Sequence, residues 1–299
     1  MKKTLIALTL AFLLISPFCR AAEFEWIAIA DNARLPDESA WSIAYPASLT
    51  LNEQQYDLDH LLNTLLGEGY YLLDRSEYDH VDKYRSAEGD EPWEYRQVTI
   101  YDDDRSFSYR DPWVTGERGG EYEAPNMNML PDESLVLCRA LLSGILPEEW
   151  MEHVDQTRWV QDRWDYSDRW MTDEEYAAYC REQKSHYVTF NHLTAEGLPI
   201  QSDRVFANVG VDGLSFVEIS WHDYDISGDT IYPMSLKEAL EMANSTREAP
   251  CTLLYAELVY SSWLTEDDTC NLSWYLLTDA GSYIVDCVQK AHMCDHYEY

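Results

Sequence analysis

Residues 274–286, WYLLTDAGSYIVD, decide the fold. Apolar residues fill both ends of this stretch, and the segment Asp279-Ala280-Gly281 separates them. Short apolar runs bounded by turn residues are typical of strands, and a glycine-containing turn between two such runs predicts a β-hairpin. We therefore expect strands at 272–277 and 283–288, joined by a tight turn.

A second segment of the same kind lies earlier in the chain. Asp212-Gly213 is a strong hairpin signal between the apolar runs 204–211 and 214–221. Residues 212–219 and 279–286 align residue for residue at a spacing of about 67 positions, which is longer than the period of a solenoid repeat. The two hairpins therefore indicate two packed units.

Each predicted hairpin follows a predicted helix and a predicted strand. For the first hairpin these are 131–145 and 187–192, and for the second they are 235–244 and 253–260. This order indicates an internal duplication, in which each copy lays a helix on a small antiparallel sheet. Chance similarity between two hairpins is the alternative, because alternating apolar residues are common to strand pairs.

The N-terminal part of the chain predicts a unit of its own. Apolar residues at 24–29 indicate a strand, and leucines with helical spacing predict a helix over 56–66. Residues 96–101 and 106–109 read as two short strands separated by three aspartates. We expect 22–111 to form an α+β domain of strand, helix and hairpin.

Proline and glycine concentrate in 112–130, which predicts a linker. The remainder, 131–299, is then a tandem α+β domain with halves 131–230 and 231–299. The expected fold class is α+β, with a strand–helix–hairpin unit followed by two units that each place a helix on an antiparallel sheet.

The segments 254–260 (LYAELVY), 274–276 (WYL) and 283–286 (YIVD), after a helix, resemble the PepSY-type module. They are also similar to the tandem domains of the YycH and YycI regulatory proteins, although Cys287 stands where that family usually has alanine. The whole chain resembles uncharacterised exported proteins and lipoproteins of Gram-positive gut bacteria. The resemblance implies a non-enzymatic role in binding or inhibiting other extracytoplasmic domains, and it carries over no catalytic residue.

The first 21 residues have the pattern of a signal peptide. Lys2 and Lys3 precede an apolar run of about a dozen residues, too short to span a bilayer. We expect cleavage after Ala21 and a secreted or extracytoplasmic product. A lipid anchor at Cys19 is the alternative, although Phe18 departs from the small residues of a lipobox.

Charge excludes several kinds of partner. The chain has 55 acidic and 21 basic residues, a formal net charge of −34. Such a surface repels phosphate backbones and anionic lipids, so we expect no nucleic-acid binding. The sequence predicts no transmembrane helix after the signal segment, because no later apolar stretch approaches the roughly 18 residues that a membrane helix needs.

Six cysteines follow residue 137, and an even number in an exported protein is compatible with disulfides. Buried thiols that pack like small apolar residues are the alternative. These cysteines are Cys138, Cys180, Cys251, Cys270, Cys287 and Cys294.

An aromatic segment at 150–170 supplies the candidate binding residues. Arg-Trp pairs recur there at steps of five and six residues. Exposed rings beside carboxylates suit stacking on a sugar or gripping a peptide, whereas packing on the core with arginine stacked on the rings is the alternative. The candidates are Trp159, Trp164, Tyr166 and Trp170.

Residues 223–229 match the first half of a calcium-binding loop, with oxygens at alternate positions and Gly228 at the sixth. The twelfth position is Met234 instead of glutamate, and a polar connector is the alternative interpretation. We expect no cofactor apart from weak Ca²⁺ binding at this segment. The candidate ligands are Asp223, Asp225, Ser227 and Asp229.

Nucleophile-elbow, zincin and P-loop motifs are absent from the sequence. We therefore expect a non-catalytic binding or regulatory module at the bacterial cell envelope that contacts an envelope protein or peptide. A carbohydrate-binding or hydrolytic accessory protein that uses 150–170 is the alternative, and a structural envelope protein is a third reading. An exposed edge strand would favour the first function, and a concave cleft lined by the tryptophans would favour the second.

Overall fold

A computed structural model describes residues 27–52, 57–78, 80–89, 95–101, 106–112, 124–146, 148–165, 169–220, 222–245, 250–265 and 269–296. The predicted signal peptide, most of the predicted linker and Tyr166 lie outside these residues.

Strands predominate over helices in the described residues. The strands are β1 (Ile27–Arg34), β2 (Tyr45–Asn52), β3 (Tyr71–Ser76), β4 (Val81–Arg85), β5 (Gln97–Tyr101), β6 (Ser106–Arg110), β7 (His153–Val154), β8 (Trp164–Asp165), β9 (Arg169–Trp170), β10 (Ser185–Leu193), β11 (Pro199–Gly210), β12 (Gly213–Ser220), β13 (Asp223–Ile231), β14 (Cys251–Ser261), β15 (Thr269–Thr278), β16 (Gly281–Asp286) and β17 (His292–His296). The α-helices are α1 (Leu58–Leu66), α2 (Pro131–Leu142), α3 (Thr157–Asp162), α4 (Asp173–Glu182) and α5 (Leu236–Asn244), and single 3₁₀ turns lie at Glu38–Trp41 and Glu148–Met151. None of the helices that the structure describes has both the length and the apolarity needed to cross a bilayer.

Fifteen of the described strands form one mixed sheet. Its main path runs β13-β2-β15-β14-β11-β12-β6-β5-β4-β3. β1 and β11 each pair in parallel with β14, whereas the hairpins pair antiparallel. β16 pairs with β15 on one side and with β17 on the other, and β10 pairs with β11 and β7. β8 and β9 form a separate two-stranded ribbon.

The predicted α+β class is wrong. The described residues form one large mixed sheet instead of successive helix-on-sheet units. Strands of the predicted N-terminal domain enter that sheet, because β6 pairs with β12 and β2 lies between β13 and β15. Every hairpin leaves two backbone edges that can pair further. Here strands distant in the sequence cover those edges, and such pairing leaves no local signal. The domain boundaries at 21, 111 and 130 stay predictions.

The first core lies between α1, α2 and the middle of the sheet. Leu62 of α1 and Leu142 of α2 are almost completely buried, and Phe107, Phe190 and Val217 face them from β6, β10 and β12. Leucines on one face of each helix supply the apolar stripe that the sequence predicts.

The second core lies between α5 and the strands β14 to β16. Ala239 of α5 is fully buried, as are Tyr260, Trp274 and Tyr283 on the sheet. The Trp274 indole Nε1 donates a hydrogen bond to the Met234 carbonyl (2.9 Å), so the largest buried side chain also has its polar atom satisfied.

The predicted helices at 131–145 and 235–244 are present, and local signals mark the starts of these helices and of α4. Pro131 occupies the first turn of α2, where its missing N–H is not needed. Thr172 is the N-cap of α4 and Ser235 is the N-cap of α5. The side-chain oxygen of each accepts a hydrogen bond from the backbone N–H of the glutamate three residues later, and that glutamate's carboxylate accepts one from the backbone N–H of the N-cap residue. Each pair is a capping box, for which the sequence pattern is serine or threonine followed three residues later by glutamate.

The two predicted hairpins are present, but their alignment is displaced by one residue. Gly213 opens β12 opposite Gly210, and Gly281 opens β16 opposite Thr278. Both glycines have positive φ, 131° and 147°, which explains their position at the turns. The equivalent residues are therefore 68 positions apart, and with that spacing Val217 corresponds to Val285, both of which face a core.

β11 carries a bulge at the junction between the two cores. Its pairing with β10 jumps from Arg204, opposite Asn191, to Ile200, opposite His192, so residues 201–203 are extra on β11. Ile200 also pairs with β14, which links the two halves of the sheet. Bulges re-aim side chains, and in this one Gln201 is half-buried whereas Asp203 is fully buried.

Asp203 is the buried residue of this bulge. Its carboxylate accepts hydrogen bonds from the His222 backbone N–H (2.5 Å), His222 Nδ1 (2.7 Å), the Tyr224 hydroxyl (2.9 Å) and His192 Nδ1 (3.3 Å). Burial alone raises the pKa of Asp203, but the donors from His192 and His222 outweigh it and hold the pKa below its ordinary value. The cluster joins β10, β11 and β13.

Candidate binding surface on the β3–β4 hairpin

β3 is the last strand on the main path of the sheet. In the described residues β4 is its one paired strand, so the outward backbone edge of β3 has no strand beside it. Sheet edges present N–H and C=O groups that an added strand can pair with, and proteins commonly protect them.

Large apolar side chains are exposed along this edge. Tyr71 is 45% exposed, Leu72 and Leu73 are each 42% exposed, and Tyr78 in the following turn is 93% exposed. We call these four residues the apolar strip. Scattered exposed apolar residues are normal, but a contiguous group on an edge strand is typical of an interaction site.

Ion pairs between β3 and β4 hold the hairpin in shape. Arg75 donates two hydrogen bonds to the Asp82 carboxylate, from Nε (2.7 Å) and Nη2 (2.6 Å). These bonds lower the pKa of Asp82. Lys83 and Asp74 form a second cross-strand pair at 4.0 Å. Paired opposite charges across strands favour one register.

Arg85 anchors the strip to the rest of the sheet. This arginine is buried, and its guanidinium lies over the Tyr71 ring at 5.0 Å and the Tyr95 ring at 4.0 Å. Cation–π contacts of this kind fix the position of the ring. Tyr71 therefore presents a pre-positioned aromatic surface to solvent.

A bulge at Leu73 interrupts the edge. The register shifts between Leu72, opposite Tyr84, and Asp74, opposite Lys83, so Leu73 is an extra residue on β3. Bulges on edge strands twist the edge and restrict indiscriminate strand addition. The edge can therefore accept a strand without being a flat template for aggregation.

The surroundings of the strip are acidic. Positions 68–83 contain five acidic and two basic residues, within a chain of net charge −34. Such a field attracts positively charged partners and repels negatively charged ones.

Two of the predicted binding tryptophans take part in packing. Trp164 and Trp170 are cross-strand partners in the β8–β9 ribbon, with ring centres 6.4 Å apart in an edge-to-face arrangement. Both pack against a third apolar cluster that includes Val160, Leu254 and Leu277. This placement agrees with the core-packing alternative, and their role in ligand binding stays a prediction.

Trp159 lies elsewhere. It is 8% exposed and lines a separate small cleft with Asp162, Tyr176 and Cys180. Trp164 and Trp170 do not line this cleft.

The predicted calcium segment is a strand paired with β2. Alternate residues of a strand are roughly 6.6 Å apart, so the candidate ligands follow one another along β13. Asp225 accepts a hydrogen bond from Asn52 Nδ2 (3.3 Å). In the part of the chain that the structure describes, no group of three His, Cys, Asp or Glu residues is arranged to hold a metal ion. Calcium binding by Asp223, Asp225, Ser227 and Asp229 stays a prediction.

The six cysteines are not joined by disulfides in the described residues, and all except Cys294 are buried. Burial raises the pKa of the Cys138 and Cys287 thiols to about 12. The burial of these cysteines and the raised pKa values of the two thiols agree with the alternative of thiols that pack as small apolar residues.

Sequence reasoning missed the β3–β4 hairpin. Its turn lacks the Asn-Gly or Asp-Gly pair that marks a two-residue hairpin loop. His80 takes the positive φ (50°) that glycine or asparagine would usually supply. The alternating charges of 74–75 and 82–83 are the one signal that could have indicated a strand pair.

No family model and no curated protein matches this chain. Among solved structures, an uncharacterized protein from Eubacterium rectale is similar over 85% of this chain and 85% of its own, with a TM-score of 0.39 and 10% identity. The Bacillus megaterium YpeB C-terminal domain is similar over 83% of this chain and 100% of its own, with a TM-score of 0.37 and 12% identity. Both similarities are distant.

Proposed function

We propose that this chain is an exported, non-catalytic protein-binding module of the cell envelope, and that it holds an extended basic segment of a partner protein against β3. The observation that carries the proposal is the apolar strip beside the outward edge of the sheet.

An added strand would contact both the backbone edge of β3 and the apolar strip. Its backbone would pair with the outward N–H and C=O groups of β3, and its side chains would contact Tyr71, Leu72 and Leu73. Main-chain pairing supplies affinity, and the side-chain contacts supply specificity.

Electrostatics favours a basic partner over a second copy of the chain. Two copies with a net charge of −34 each repel one another, whereas a basic segment is attracted. The opposite end of the sheet is less suited to pairing, because β13 carries Asp223, Asp225 and Asp229, and charges on an edge oppose strand addition.

The proposal is tested by selecting linear peptides of about ten residues, the length of a long strand, from a phage-displayed library on the purified chain. We expect the enriched peptides to be basic and to slow amide hydrogen exchange in β3. A double variant, Leu72→Lys with Leu73→Lys, should bind them at least roughly tenfold more weakly, because it replaces apolar contact with charge repulsion.

The matched control is Val136→Lys with Ile226→Lys. These residues are also exposed and apolar, at 69% and 66%, and the charge change is the same, but they lie on α2 and β13. The control should bind like the unmodified chain. The proposal is overturned by a selection that enriches no peptide, or by peptides that bind both double variants equally.

A further inference from the structure

A polar cleft opens on the face of the sheet opposite α5, beside the bulge of β11. It has a volume of about 240 Å³ and is lined by residues of β10, β11, β14, β15 and β16 and by the start of α3 with the residues before it. Glu257 and Val259 line it from β14, where they alternate with the second-core residues Leu258 and Tyr260. The cleft is therefore separated by the sheet from the second core, and it is distinct from the apolar strip.

Polar side chains line this cleft. Asn191 is 7% exposed and Ser282 is 4% exposed, and both contribute to its lining. Within the described residues, the Gln201 Oε1 atom is buried without a hydrogen-bond partner. Buried polar groups are normally satisfied, because each unmet one costs about 1–3 kcal/mol. This unsatisfied acceptor lies in the same lining as Asn191 and Ser282, two mostly buried polar side chains, and together they indicate a site built for a hydrogen-bonding ligand.

Glu257 supplies a fixed acceptor in the same cleft. The Tyr255 hydroxyl donates to Glu257 Oε2 at 2.7 Å, and His153 Nε2 lies 3.3 Å from Oε1. These contacts hold the carboxylate in one orientation while 21% of its side chain stays exposed. A carboxylate oxygen accepts more than one hydrogen bond, so Glu257 can also receive ligand hydroxyls.

Trp263 adds an aromatic surface to the lining. It is 40% exposed, and its backbone N–H donates to Ser261 Oγ (3.3 Å), which fixes the start of the loop after β14. An exposed indole in a polar cleft offers a flat apolar face to the C–H side of a ring while its N–H remains available to solvent or ligand.

This set of groups discriminates between ligand classes. Amides and a hydroxyl both donate and accept, as sugar hydroxyls do, and Glu257 accepts. The second carboxylate of the lining, Asp155, already accepts hydrogen bonds from the Thr157 backbone N–H (2.8 Å) and hydroxyl (2.7 Å). Arg204 is the basic residue of the lining, and it already lies 3.9 Å from Glu218, so an anion gains little there. An apolar ligand would leave the buried amide oxygen of the lining unsatisfied.

We infer that this cleft binds a neutral sugar ring, which stacks on Trp263 and forms hydrogen bonds with Asn191, Gln201, Glu257 and Ser282. This site is independent of the peptide-binding surface on β3.

The inference is tested on the purified chain with an array of neutral and acidic oligosaccharides, followed by calorimetric titration of the strongest binder. We expect binding to neutral glycans. Trp263→Ala should weaken it roughly tenfold through loss of stacking, and Ser282→Ala should weaken it through loss of a hydrogen bond while circular dichroism stays unchanged. Tyr232→Ala, which removes a ring that is 72% exposed elsewhere, should have no effect.

One further variant completes the test. The variant Leu72→Lys with Leu73→Lys should bind the sugar like the unmodified chain, which separates this site from the β3 surface. The inference is overturned if no neutral glycan gives saturable heat, if Trp263→Ala leaves the affinity unchanged, or if only acidic glycans bind.

Discussion

At the scale of single residues, Asp203 determines how the two halves of the sheet meet. Four donors from β10, β13 and the turn before β13 converge on a carboxylate with no exposed surface. A carboxylate without donors is very costly to bury. The four hydrogen bonds therefore stabilise the buried charge of Asp203, and that charge strengthens the four hydrogen bonds. The cluster therefore stabilises the junction of β10, β11 and β13 at the bulge.

Replacing Asp203 with asparagine should lower the free energy of unfolding by about 3 kcal/mol, because donors from His192, His222 and Tyr224 lose a charged acceptor. Urea denaturation at neutral pH measures this change. Because the folded-state pKa of Asp203 is lowered, its contribution is complete above the ordinary aspartate value of about 4 and is lost as the pH falls through the folded value. The difference between the two proteins should therefore shrink in acid.

Asp229→Asn is the control for this variant. Asp229 is exposed on β13, and its replacement should change stability by less than about 0.5 kcal/mol. Equal free energies of unfolding for the two variants at neutral pH would show that the Asp203 cluster does not stabilise the junction.

At the scale of elements, the capping boxes show which part of the fold is local. Ser235→Ala should destabilise the protein by about 1 kcal/mol, since it removes the side-chain acceptor for the Glu238 N–H at the start of α5. Urea denaturation checks this value. Lys237→Ala removes an exposed pair with Glu241 in the same helix, and it should cost at most about 0.5 kcal/mol. A larger loss for Lys237→Ala than for Ser235→Ala would contradict the capping argument.

Such local signals explain how much of the fold was predictable. The helix starts near Pro131 and Ser235 and the turn at Gly213 follow from neighbouring residues, and they were predicted correctly. The one-residue error between the hairpins arose because apolar residues fill both faces of β16, which is buried throughout, so its sequence does not show which face meets the core.

Partners that are distant in sequence were not predictable. β2 was missed, and its position between β13 and β15 depends on backbone edges rather than on side-chain pattern. The cleft beside β11 was missed for the same reason, because Asn191, Gln201, Glu257 and Ser282 come together only when their strands pair. No local sequence pattern distinguishes Glu257 and Trp263 from the other glutamates and tryptophans of the chain.

At the scale of the whole molecule, charge opposes compaction. A net charge of −34 is brought into a smaller volume on folding, and salt screens the resulting repulsion. The melting temperature should therefore rise by several degrees between about 10 mM and 0.5 M NaCl. Differential scanning fluorimetry measures this shift, and a melting temperature that is independent of NaCl would contradict it.

Calcium and magnesium chloride at matched ionic strength provide the comparison for this experiment. The weak Ca²⁺ binding predicted at Asp223, Asp225, Ser227 and Asp229 should give calcium an additional shift of the melting temperature. Equal shifts with the two salts would contradict that prediction and would agree with side chains that are spread along a strand.

β2 lies beside a strand that is made much later. Ser48 on β2 donates a hydrogen bond to Asn271 on β15, 223 residues away. At a synthesis rate of about 5–20 residues per second, roughly 10 to 45 s separate the appearance of these two strands. Pairing over such a distance is also slow to form in the complete chain. The pairing of β2 with β15 is therefore expected to form late, and until it forms the chain is more exposed to proteases and to misassembly.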